Sequence, residues 1–212
     1  ARGVVAGVYT IMICMLVLLM GGPMGYAGQQ RPNVVFILID DLSDFGLTAY
    51  GATHVTSTQG HFENVPIEMP NMDRLADSGV VMEQAYVYPI CEPTRVALMS
   101  GMHNGRNFVD PKAVHESQIT FSDVLKRAGY TTGIFGKWKQ TRGTPDAPAA
   151  TYLERFGWDE YVCFDVVGEG RRMIDPRIVD NGKETIYRGV NPETGRRWFG
   201  PDICNDAALQ FL

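Results

Sequence analysis

The sequence predicts an α/β protein with a mainly parallel central sheet and helices on both faces, and three observations carry that expectation. Val34-Val35-Phe36-Ile37-Leu38-Ile39 is a continuous apolar, largely β-branched run without alternation, short enough for a strand and apolar enough to be covered on both sides. Between residues 34 and 135, runs of this kind alternate with stretches of helical spacing. A hydrophobic content of 45% over 212 residues suffices for one domain with its own core.

The elements follow in order. The first strand, 34–39, ends in Asp40-Asp41. Asn71–Ser78 has Met72, Leu75 and Ala76 at helical spacing, with Pro70 before it and Gly79 as its stop. Val80–Val87 reads as a second strand. Pro93 suits the first turn of a helix reaching about Ser100, which puts Cys91 at or just before that helix's N-terminus. Thr120–Lys126 carries the Thr-x-x-Asp pattern of a capped helix, with Phe121, Val124 and Leu125 on one face and Gly129 behind it. A third strand, Thr131–Phe135, comes next. Beyond Gln140, glycine, proline and charge dominate (Thr144–Pro148, Glu169–Arg172, Asn181-Gly182), and the segment reads as long surface loops. Ligands of such sheets bind at the carboxyl ends of the strands, so Asp40-Asp41 and Gly136-Lys137 stand where chemistry is expected.

Charge excludes one class of partner. The formal net charge is −5, and no cluster of Lys and Arg is dense enough to follow a phosphate backbone, so nucleic acid is not expected. The adjacent pairs Arg171-Arg172 and Arg196-Arg197 read as solvated surface.

Residues 1–27 hold a single charge, Arg2, ahead of the apolar run Ile11–Met20 and the break Gly21-Gly22-Pro23, the order of a secretory signal peptide. Small residues at Gly25 and Ala27 place cleavage before Gly28, with an uncleaved membrane anchor over residues 4–27 as the alternative. The expected compartment is therefore exported: secreted, periplasmic or lysosome-like. Ala1 in first place and the unstopped apolar-faced helix at 206–212 read as a piece of a longer protein. Of Cys14, Cys91, Cys163 and Cys204, the first would leave with the leader. The remaining odd number allows either a Cys163–Cys204 disulfide with Cys91 set apart, or three unpaired thiols.

The most informative stretch is Cys91-Glu92-Pro93-Thr94-Arg95, followed by an apolar helical turn and Ser100-Gly101. It resembles the Cys-x-Pro-x-Arg signature of the type I sulfatases. Pro32–Asp41, Met69–Ala76, Gly129–Trp138 and Phe156–Tyr161 are similar to further stretches of that family, in the same order, over roughly residues 32–162. The resemblance implies an alkaline phosphatase-like fold, of which residues 28–212 would be the N-terminal part. It implies that a formylglycine-generating enzyme oxidises Cys91 to formylglycine, whose hydrated aldehyde attacks the sulfur of a sulfate ester and then expels sulfate. A plain serine or cysteine ester would lack that exit.

The same resemblance assigns Asp40, Asp41 and the modified Cys91 to a metal, calcium or alternatively magnesium. Physical reasoning agrees: adjacent carboxylates raise each other's pKa unless solvated or shared by a hard cation. The helix N-terminus at residue 91 favours an anion, Arg95 and Lys137 supply positive charge for it, and each alone would read as an ordinary surface cation. The substrate implied is a sulfated small molecule or glycan. One position departs from the family. Lys139 stands where members carry a histidine, and it either replaces that histidine as a base or binds the anion. His54, His61, His103 and His115 read as surface or packing residues. Two other functions stay open from the residues: a phosphate or phosphonate ester hydrolase of the same superfamily, and an inactive relative that binds sulfated glycans.

Overall fold

The computed structural model describes residues 31–57, 60–107, 113–140 and 150–212. The chain divides into two units, Ala1–Ile39 and Asp40–Leu212. The apolar run Ile11–Met20 lies outside the described residues. Among them, no helix is long and apolar enough to cross a membrane.

In the first unit the expected strand 34–39 does not form. Residues 31–39 belong to no helix or ladder, and Val34, Val35, Phe36 and Ile37 are exposed. Hydropathy marks a segment that would gain from burial, but a parallel strand exists only where neighbours accept its N–H and C=O groups. The described residues of this unit include none.

The second unit is built on a mixed four-stranded sheet. A short hairpin of β1 (His54–Val55) and β2 (Val65–Pro66) precedes it. Helix α1 (Pro70–Ser78) has proline at its start and an amphipathic face, as expected. The expected second strand at 80–87 is instead an irregular connection with Val80 and Tyr86 exposed. Glu83-Gln84 interrupts its apolar run, and the segment's end is tied to the next helix: the Thr94 hydroxyl donates to the Tyr88 carbonyl at 3.0 Å.

Helix α2 (Cys91–Ser100) starts at the signature cysteine and ends on Gly101 in the left-handed region. Helix α3 (Phe121–Arg127) carries the expected capping box, in which Thr120 and Asp123 each accept from the other's backbone N–H. The Thr120 hydroxyl also lies 2.9 Å from the Phe156 carbonyl inside the core. Thr120→Val is therefore expected to lower stability by about 2 kcal/mol, since it removes a cap and buried hydrogen bonds together. Chemical denaturation measures this, and a loss below about 0.5 kcal/mol would mean the cap is dispensable.

Strand β3 (Gly133–Lys137) is the expected third strand, displaced by two residues. It pairs in parallel with β4 (Glu160–Phe164), which runs antiparallel to β5 (Arg177–Asp180), itself antiparallel to β6 (Lys183–Ile186). The loops expected beyond Gln140 thus hold three strands. Signals for them were present. Asn181-Gly182 is a two-residue hairpin turn with φ of 43° and 84°, the conformation that favours Asn-Gly between antiparallel strands. Helix α4 (Gly200–Phe211) begins earlier than the 206–212 segment suggested, with Pro201 in its first turn.

The alternation of β4 divides the core. Tyr161 and Cys163 face a cluster with Val96 and Met99 of α2, Trp138, Leu153 and Phe156. Val162 and Phe164 face Ile178 and, from α4, Cys204, Ile203 and Ala207. Helices therefore cover both faces, as expected of the class. Gly157 permits the close approach of the turn 152–156 to α3: its φ is 77°, and a Cβ would fall 2.8 Å from the Asp123 backbone. Cys163 and Cys204 are both free thiols, so the disulfide alternative does not hold. Sitting on opposite sides of β4, they serve the two clusters as small apolar groups, and burial pushes both pKa values up, that of Cys204 to about 11.

Candidate active site

Helix α2, the carboxyl end of β3 and the bend at Asp40 supply the site. Ile90 is extended (φ −128°, ψ 144°) and the helix begins at the next residue, so Cys91 occupies the first turn of α2, where backbone N–H groups lack intrahelical partners. Arg95 lies one turn along. Lys137 is the last residue of β3.

Arg95 joins the helix to the strand. Its Nη1 donates to the Lys137 carbonyl at 2.8 Å, and its Nη2 lies 3.9 Å from Asp40 Oδ1. Lys137 Nζ pairs with the other oxygen of the same carboxylate. The side chains of Lys137 and Arg95 are only 9% and 11% exposed, which makes Asp40 the neutralising partner of two largely desolvated cations. Burial alone would raise the Asp40 pKa. The hydrogen bond and charge of Lys137 and the charge of Arg95 outweigh it and hold the carboxylate below its usual range. Arg95 Nε is buried without a hydrogen-bond partner among the described residues, a donor that an oxyanion would satisfy.

Asp41 behaves differently from its neighbour. It adopts a left-handed φ of 56°, and among the described residues no hydrogen bond or ion pair reaches its carboxylate. No group of three or more His, Cys, Asp or Glu among the described residues is arranged to hold a metal. Asp40 and Asp41 offer the hard, ionisable oxygens that calcium takes, and Arg95 and Lys137 occupy both oxygens of Asp40 here. Two carboxylates remain fewer than the roughly six to eight oxygens such an ion requires.

Lys139 has a left-handed φ of 51°, with its N–H donating to the Asp165 carbonyl at 3.3 Å. Its ammonium lies 3.4 Å from Glu92 Oε1 and 3.3 Å from Glu169 Oε1. Glu92 is a buried carboxylate in the first turn of α2, and its Oε2 is 3.8 Å from Cys91 Sγ. Partial desolvation would lower the Lys139 pKa, but the Glu169 hydrogen bond and the two carboxylate charges raise it overall. The structure thus forms two contact sets, Asp40 with Arg95 and Lys137, and Cys91 with Glu92 and Lys139, and leaves Asp41 outside both among the described residues. Three of the histidines have other partners: His103 stacks edge-on to Tyr88, and His54 and His115 contact Thr53 and Ser117.

Sequence reasoning missed the partners Glu92, Glu169 and Asp165 and the pairing of Arg172. Glu92 and Glu169 hold Lys139. Arg172, read as solvated, has its Nε 2.6 Å from Oδ2 of buried Asp165, off the axis a hydrogen bond needs, so charge holds the pair. Arg171 and Arg197 are exposed, as expected, and both pair with Asp175. Pairing across a strand end leaves no local pattern, and the only signal was chemical: an acidic residue in the variable position beside Cys91.

A family comparison agrees with this geometry. The Sulfatase family profile matches residues 32–175, and the chain belongs to that family. It is 27% identical over 186 residues to an N-acetylglucosamine-6-O-sulfatase of Bacteroides thetaiotaomicron, covering 86% of this chain and 28% of that protein. It is 36% identical over 118 residues to an N-acetylgalactosamine-6-O-sulfatase of the same organism, covering 52% and 21%. With human arylsulfatase D the identity is 31% over 128 residues, covering 54% and 20%. The chain thus spans under a third of the length of these curated relatives.

Solved structures give the same fold. One, described as a complex with its substrate D-glucosamine-2-N,6-O-disulfate, superposes with a TM-score of 0.64 at 26% identity, over 86% of this chain and 31% of that one. Ps i-CgsB superposes with a TM-score of 0.62 at 25% identity, over 86% and 41%. The fold is the α/β fold of the sulfatases, and this chain carries part of that domain.

Proposed function

We propose that the protein hydrolyses a sulfate ester, of a small molecule or a glycan, with residue 91 as the nucleophile after a formylglycine-generating enzyme has oxidised Cys91. The observation that carries this reading is the placement of Cys91 in the first turn of α2, beside a carboxylate-anchored pair of cations, Arg95 and Lys137. Relatives named as carbohydrate sulfatases and arylsulfatases support the reaction class and leave the choice of ester open.

Each residue of the chain has a task that follows from its surroundings. The first turn of α2 offers N–H groups and the positive end of its dipole to the sulfate. Arg95, one turn along the helix, has a buried Nε–H without a partner among the described residues, and Lys137 adds a point charge. Asp40, ionised and flanked by both, would hold calcium together with Asp41, the other oxygens coming from outside the described residues. Calcium at that position supplies charge that stabilises an oxygen nucleophile, and the aldehyde supplies a hydrate with one hydroxyl for attack and a second for release. We further propose that residues 1–27 direct export, with 28–212 belonging to the catalytic domain.

Paired esters test the reaction. Full-length protein from a host with the generating enzyme is expected to turn over 4-nitrophenyl sulfate with kcat/KM at least about tenfold above that on 4-nitrophenyl phosphate. The reverse order would assign the protein to phosphate ester hydrolysis, and turnover of neither, with a sulfated glycan bound but no sulfate released from it, would make it a binding protein.

A further inference from the structure

The ammonium of Lys139 has two carboxylate partners of opposite character. Glu92 has a side chain only 8% exposed, is fixed in the first turn of α2, and reaches Lys139 through one oxygen and Cys91 through the other. Glu169 lies on the connection between β4 and β5 with its side chain 65% exposed. A buried ion pair holds its geometry because breaking it strands a charge, whereas an exposed pair contributes little and exchanges readily with water or another anion. The ammonium therefore has one permanent partner and one exchangeable partner, and the permanent one also touches residue 91.

We propose that Lys139 is an anion-binding residue of this site, anchored by Glu92 and covered in the free protein by Glu169, whose carboxylate the sulfate group of the substrate displaces. The assignment rests on the sulfate-ester reading above. A sulfate ester presents terminal oxygens that carry negative charge, as a carboxylate does, so it can take over the contact without leaving the ammonium unpaired. Two carboxylates around Lys139 also hold it protonated, which suits binding and opposes service as a base. The left-handed backbone at Lys139, tied to the Asp165 carbonyl, sets where the side chain departs.

The two contacts make changes of opposite sign. Removing Lys139 removes attraction, whereas neutralising Glu169 removes a competitor. Calorimetric titration of the full-length protein with inorganic sulfate reads both. Lys139→Gln is expected to weaken sulfate binding about tenfold, and Lys139→Arg to retain most of it. Glu169→Gln is expected to tighten binding about threefold, a gain that a merely structural contact would not produce. On 4-nitrophenyl sulfate, KM should follow the same order, with kcat of Lys139→Gln falling by less than its KM rises.

Unchanged or weaker sulfate binding by Glu169→Gln overturns the proposal, as does a Lys139→Gln protein that loses kcat with KM unmoved. Glu169 is exposed enough that its variant decides the matter even where Lys139→Gln does not fold. Sulfate binding that responds as described, in a protein that releases sulfate from neither an aryl sulfate nor a sulfated glycan, supports the Lys139 assignment and contradicts the sulfatase reading.

Discussion

Cys91→Ala in the full-length protein is expected to reduce kcat/KM on an aryl sulfate by about 10⁴-fold or more, because it removes the nucleophile and leaves only binding and electrostatic stabilisation. Stability should hardly change. Cys91 is only partly buried, its side chain makes one weak contact with Glu92, and alanine is a good helix former in the first turn of α2. Steady-state kinetics beside thermal denaturation separates the two effects. Cys91→Ser sharpens the result: a serine hydroxyl can take sulfate from the ester but has no second hydroxyl to expel it. Product release should then stop near one equivalent per enzyme. Continuous turnover by either variant would place the nucleophile elsewhere.

Asp40→Asn is expected to have the second-largest effect, and it should appear in stability as well as in metal content. The substitution leaves Lys137 and Arg95, both largely desolvated, without their shared counter-charge. Breaking fully buried pairs costs about 3–5 kcal/mol, and the one-third exposure of Asp40 reduces this to about 1–2 kcal/mol. Calcium bound by the purified full-length protein should fall as a hard oxygen ligand and its charge are lost. The pH dependence follows from the lowered Asp40 pKa. A carboxylate depressed in the folded state stabilises above its unfolded pKa, near about 3.9, and that contribution disappears as pH falls through the lower folded value. Urea denaturation should therefore show wild type and Asp40→Asn differing at neutral pH and converging in strong acid. A difference that persists in strong acid would mean that packing, not charge, sets the cost.

What the sequence reveals depends on whether the signal is local. The capping pattern at Thr120, the proline at 70 and the glycine after Ser100 act within one turn of helix, and α1, α2 and α3 form where they indicate. Strands need partners. Val34–Ile39 and Val80–Val87 have strand composition and no ladder, whereas Glu160–Phe164, set among glycines and charges, pairs with β3 on one side and Arg177–Asp180 on the other. The alternating burial of β4 between two clusters shows why: it is apolar on both faces because helices cover both, and no property of five residues reveals the second helix.

The site divides in the same way. Cys91, Arg95 and Lys137 are legible because motif spacing fixes them on one helix and one strand end, and the structure brings Arg95 and Lys137 to Asp40. The clasp of Lys139 between Glu92 and Glu169 is not legible, because it is made across 47 residues on one side and 30 on the other. Arg172 was dismissed for the same reason: its partner Asp165 is buried at the end of a strand that the sequence did not announce.

The oxidation state of residue 91 tests the proposed chemistry most directly. Protein made in a host with the formylglycine-generating enzyme is digested, and the peptide containing residue 91 is examined by mass spectrometry before and after treatment with a hydrazine reagent and with a thiol alkylator. An aldehyde that forms the hydrazone and resists alkylation is the expected result. A fully alkylatable Cys91 thiol in protein that still hydrolyses an aryl sulfate would contradict it.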